Sequence, residues 1–186
     1  MRTSDLGVTF QIPKFEAPVE LFLADNRRLK GKLFLSILPS SKLGHSSVLE
    51  GLNEPQKFFP FLPEYANQVE VFNKELLVEV VIDIKLDQEE QSNILESNIW
   101  IEEVEVQCSS YVTVIGNVIL DLPPNRARVL DFFNLPEAFF ALQKGDKSHV
   151  INKKYVTSVK ELTVLPPPPK QITQTKRGGR TKKKSS

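Results

Sequence analysis

The sequence predicts a mainly β protein: two tandem copies of one small β-barrel module, each with a short helical turn, followed by a disordered basic C-terminal tail. Three observations lead there. Residues 48–59 return at 129–140 with six of twelve positions identical, and Glu50 is matched by Asp131 at a seventh. Self-similarity of this kind marks a duplicated building unit. Apolar residues alternate in both copies, through Leu29, Gly31, Leu33 and Leu35 and again through Val112, Val114, Val118 and Leu120. A period of two puts alternate side chains on one face of a strand. Finally, 13 Pro and 8 Gly in 186 residues cut the chain into short elements with frequent turns.

Residues 1–17 read as an N-terminal arm of mixed composition with no clear period. The first module covers 18–85. Within it, 19–23 is a strand, 24–26 a tight turn and 29–35 a second strand, where Gly31 marks a bulge or sharp bend. One helical turn is expected over 47–52, then a Pro-interrupted apolar cluster over 58–62 and a loop over 63–68. Strands over 69–72 and 76–84 flank an Asn73-Lys74 turn. Residues 86–99 are polar and acidic and serve as the linker.

The second module, 100–165, repeats the order. Val104-Glu105-Val106 matches Val19-Glu20-Leu21, Gly116 stands where Gly31 stands, and Asn152-Lys153 matches Asn73-Lys74. A module of roughly 60 residues is near the lower limit for a self-sufficient core, so the two are expected to pack on each other. The pairs Phe58/Phe59 and Phe139/Phe140 are expected at the hydrophobic centre of each module or between them, each buried ring contributing about 1.5–3 kcal/mol. Residues 166–169 are four prolines and should be extended polyproline, with disorder expected over 170–186.

Several function classes lose support. The single cysteine, Cys108, excludes an internal disulfide and a Cys-cluster metal site, and its alternation with Val104 and Val106 makes it a buried small hydrophobe. No apolar stretch approaches the roughly 20 residues that span a bilayer, and no basic segment followed by an apolar run opens the sequence. A cytoplasmic, reducing location is therefore expected. His45 and His149 fall in different copies, flanked by Ser, Gly or Lys, and read as exposed loop residues. Neither they nor Ser46-Ser47 sit in a nucleophile–base–acid arrangement or an elbow motif, and Gly178-Gly179 is no phosphate loop. No catalytic residue, metal site or cofactor is expected. Asn53 and Asn134 should satisfy local backbone ahead of Pro55 and Pro136, and Glu50 and Asp131 read as solvated charges.

Charge is unevenly divided. Residues 165–186 hold seven basic and no acidic side chains, which leaves 17 basic against 23 acidic in the body. Lys176, Arg177, Arg180, Lys182, Lys183 and Lys184 form a cluster that can grip nucleic-acid phosphates in a salt-dependent way, or meet an anionic lipid surface, or only solubilise the terminus. No aromatic residue is interleaved there, so base stacking is excluded.

Residues 19–33, from Val19-Glu20-Leu21-Phe22-Leu23 to Leu29-Lys30-Gly31-Lys32-Leu33, resemble the opening hairpin of Sm-like small β-barrels, whose second strand reads leucine-x-glycine-x-leucine. Residues 149–159 are similar to the last two strands of the bacterial host-factor type, in which a short turn with Lys and His precedes an alternating strand. The resemblance covers about thirty residues of each module. It implies an Sm/SH3-like barrel and RNA contacts at the turns Asn73, Lys74, Asn152 and Lys153. The repeated Asn-x-Pro…Phe-Phe segment departs from that family, standing where an Sm barrel has the strand whose Asp and Asn define the RNA pocket. The acidic body is also opposite in sign to what phosphates favour.

The leading expectation is thus a non-enzymatic binding or scaffold module. It would meet a protein partner, self-association included, through its barrels, and a polyanion through its tail. An Sm-like RNA- or DNA-binding regulator is the alternative, and an enzyme with an unrecognised site the third.

Overall fold

Ten strands and two short helices make up most of residues 14–36, 45–84, 100–109, 112–120 and 128–162, the part of the chain that the computed structural model describes. The arm up to residue 13, the linker 86–99 and the tail 166–186 lie outside these residues. The first strands, β1 (Lys14–Leu23) and β2 (Arg28–Ser36), form a hairpin. Its turn is closed by Asn26 at φ 66°, a conformation Asn tolerates, and by the Asp25 carboxylate accepting from Arg27 N. Next come α1 (His45–Asn53), β3 (Phe58–Pro63), β4 (Glu70–Asn73), a 3-10 turn (Lys74–Leu76) and β5 (Leu77–Asp83). The second series is β6 (Trp100–Cys108), β7 (Thr113–Leu120), α2 (Val129–Phe133), β8 (Phe139–Lys144), β9 (Lys147–Asn152), a 3-10 turn (Lys153–Tyr155) and β10 (Val156–Glu161).

Alternation accounts for the strands. Ala17, Val19, Leu21 and Leu23 of β1 are buried, as are Val104, Val106 and Cys108 of β6 and Val114, Val118 and Leu120 of β7. Helix α1 buries Val48 and Leu52, which are four residues apart on one face. Two boundaries differ from the sequence expectation. Residues 14–17 of the arm belong to β1, because Lys14 to Ala17 pair with Ser36 to Leu33. The cluster over 58–62 is strand β3, in which Pro60 and Pro63 are accommodated because, among the described residues, Pro60 has no partner on β2 and Pro63 none on β4.

All ten strands form one antiparallel sheet, in the order β10-β6-β7-β8-β9-β5-β1-β2-β3-β4. It is open, with β10 and β4 at its edges. The halves share an order: β5-β1-β2-β3-β4 in one and β10-β6-β7-β8-β9 in the other. Registers agree as well. Val19 lies opposite Gly31 and Val104 opposite Gly116, while Phe59 faces Phe72 and Phe140 faces Ile151. The two glycines mark the same close approach: a Cβ on Gly31 would lie 2.1 Å from Leu62 O, and one on Gly116 2.8 Å from Gln143 O.

The halves meet where β5 pairs with β9, Val80 opposite Val150. Packing interlocks them there. The first core contains Phe139 and Val150 from the second half, and the second core contains Val78 from the first.

Candidate functional site

The β5–β9 junction gathers most of the polar chemistry buried in the sheet. Asn53, the last residue of α1, reaches across it: its Nδ2 donates to Phe139 O at 3.0 Å and its Oδ1 accepts from Phe139 N at 2.8 Å. Its repeat counterpart Asn134 turns back instead and donates to Leu130 O of α2. The expectation of local backbone capping therefore holds for Asn134 and is corrected for Asn53, because only Asn53 has a second half beside it. Asn152 caps the 3-10 turn by accepting from Lys154 N and donates across the junction to Leu77 O. Tyr155 O–H donates to Glu75 O, and Lys154 pairs with the Glu75 carboxylate.

His149 is not an exposed loop residue. It lies on β9 with Nδ1 2.6 Å from Glu79 Oε1 of β5, and the two side chains are 14% and 3% exposed. Strand alternation turns both toward the interior, where each satisfies the other. So enclosed, the pair ties the halves together. His45 opens α1, and no group of three metal-ligating side chains lies together among the described residues.

The lysines of the two Asn-Lys turns have the same structural task. Lys74 Nζ donates to Gly51 O and Glu54 O at 2.9 Å each, and Lys153 Nζ donates to Leu135 O at 2.8 Å. A lysine thereby satisfies carbonyls left over at a helix C-terminus, where positive charge is favoured. Burial lowers the pKa of both amines, with nearby Glu54 and Glu137 acting in the opposite direction. Asn73 caps its own turn by accepting from Glu75 N. The four turn residues named for RNA contact thus each hold backbone groups of the sheet and helices. Sequence reading missed this device, though its signal was present: an Asn-Lys pair follows the Asn-x-Pro segment in both copies.

A cavity of about 430 Å³ opens beside the junction, lined among others by Leu49, Glu50, Phe132, Phe139, Ala141 and Gln143. Glu50 is not a solvated charge: its Oε2 is buried there without a hydrogen-bond partner. Asp131, its counterpart, is half-buried on α2. Cys108 is buried on β6, where desolvation and then the Glu79 charge push its thiol up to about 11.

Of the aromatic pairs, Phe59, Phe139 and Phe140 are buried. Phe58 is corrected: it is 56% exposed, on β3 with only β4 between it and the outer edge of the sheet among the described residues. The six tail residues from Lys176 to Lys184 named for polyanion binding lie outside the described residues. No helix among the described residues is long and apolar enough to cross a membrane.

No family model, curated protein or solved structure matches the chain.

Proposed function

We propose that the chain is a non-enzymatic binding or scaffold protein, built from two tandem copies of one small-barrel unit and working through protein–protein contacts at its sheet edges. The basic tail, through Lys176, Arg177, Arg180, Lys182, Lys183 and Lys184, adds attachment to a polyanion. One observation carries the reading: among the described residues both outer sheet edges are unpaired, and the β4 side exposes Val71, Val69 just before it and Phe58 on the adjoining β3. An apolar edge without Pro or Lys in the strand is a template for a further strand, and soluble proteins seldom leave one uncovered. The cytoplasm is the location that fits a lone buried thiol.

The test is a pull-down from native lysate, with and without nuclease, using the full chain, Val71→Asp and a chain lacking 166–186. Loss of a nuclease-resistant protein partner in Val71→Asp, together with loss of heparin retention in the truncated chain, is expected. Val71→Asp with an unchanged set of partners would remove the edge from the argument. The Sm-like alternative places nucleic acid at Asn73, Lys74, Asn152 and Lys153. Undiminished RNA retention after removal of 166–186 would favour it.

A further inference from the structure

The two free edges are the two halves of a contact the chain already makes with itself. By the repeat, β9 corresponds to β4 and β5 to β10, since Asn152-Lys153 matches Asn73-Lys74 and a 3-10 turn follows each. β5 and β9 are paired, while among the described residues β4 and β10 are both unpaired on their outer sides. We propose that β4 of one copy of this chain pairs with β10 of a second copy, reproducing the β5–β9 junction head to tail. This rests on the reading of the edges as protein-binding surfaces and names their partner.

Register follows from the junction. Val80 opposite Val150 becomes Val159 opposite Val71, and Val81 opposite His149 becomes Lys160 opposite Glu70. The latter is an attractive cross-strand pair, as Asp83 opposite Lys147 is in the internal junction. The surroundings agree position by position. Leu49 packs on the first core together with Ala141; its counterpart Leu130 on α2 is 68% exposed, and the counterpart of Ala141 is Pro60 on β3. Phe139 is 3% exposed and is held by Asn53, whereas Phe58 is open and Asn134, the counterpart of Asn53, points to its own helix. Each side therefore presents what the other needs: Val71 and Phe58 on one, Leu130 and Asn134 on the other.

The contact is heterologous, since the joined surfaces differ, so it propagates until it closes or extends. Substitutions at Val71 and Leu130, exposed at 69% and 68%, leave the core untouched. Sedimentation velocity of the purified full-length chain, Val71→Asp, Leu130→Asp and an equimolar mixture of the two variants is the test. The wild-type chain is expected to sediment as species larger than its 21.1 kDa mass. Each variant alone should fall back to monomer, weakening association by at least about tenfold. The mixture should regain a two-chain species, because each variant keeps the edge that the other has lost, and that recovery also shows both are folded. A wild-type monomer at every concentration, a mixture that stays monomeric, or either variant assembling alone would overturn the proposal. If the wild type is monomeric while Val71→Asp still loses its lysate partner, only self-pairing fails. If Val71→Asp changes neither result, the edge reading fails with it.

Discussion

Phe58 and Phe139 open the same strand of the same repeat, yet one faces solvent and the other is sealed in the core of the opposite half. Asn53 and Asn134 differ in the same way, one bridging the halves and the other closing its own helix. Glu79 and His149 form a buried pair where the matching positions on the free edges hold Ser158 and Glu70. Strand order, bends and turns are alike in both halves. What each side chain experiences is then set by whether a neighbouring half stands beside it.

The sharpest way to break this comparison is to truncate both phenylalanines. Phe139→Ala should cost about 3–5 kcal/mol in urea denaturation, from lost burial plus a cavity. Phe58→Ala in the dilute, monomeric chain should stay within about 0.5 kcal/mol. Equal losses would mean that the two environments are the same. The glycines come next. Alanine at Gly31 drives a Cβ to 2.1 Å from a backbone oxygen, against 2.8 Å at Gly116. Both should destabilise by about 1–3 kcal/mol, and Gly31→Ala should be the worse, since its Cβ would overlap the backbone oxygen more deeply. Thermal melts that rank them the other way would show β3 to be more compliant than β8.

Asparagine separates the halves more finely. Asn53→Ala removes two bonds and strands the part-buried Phe139 backbone N–H and C=O, at about 1–3 kcal/mol. Asn134→Ala gives up one exposed bond and should cost about 0.5 kcal/mol. A larger loss at Asn134 in concentrated than in dilute solution would report its recruitment into a second junction.

Much of this was legible in the sequence. Repeated alternating strands, Gly31 and Gly116 at matching points and the paired Asn-Lys turns were enough to expect two like series of strands, because period two and turn chemistry are local, but strand β3 was read only as an apolar cluster. The joining of the series was not legible. Nothing local in Leu77 to Asp83 or Lys147 to Asn152 says that these two strands pair, and the pairing decides the environments of Phe139, Asn53, His149 and Glu50. The resemblance gave Lys74 and Lys153 only as RNA-contact turns, and their acceptors, carbonyls at the ends of α1 and α2 about twenty residues back in the chain, are invisible to spacing.

The smallest effect is at Cys108, and it is one of pH. Its thiol titrates near 11 in the folded chain and near 9.0 once the burial is lost. Below about pH 9 both states hold the proton, so stability is independent of pH on its account. Between about 9 and 11 the unfolded chain releases the proton while the folded chain keeps it, so stability declines with rising pH. Lysines and tyrosines titrate in the same window, so the informative quantity is the urea midpoint of the wild type minus that of Cys108→Ala, followed from pH 8 to 11. That difference should shrink steadily above pH 9. A difference flat with pH would place the thiol in contact with water, and iodoacetamide would then label it in the folded chain as fast as in the unfolded one.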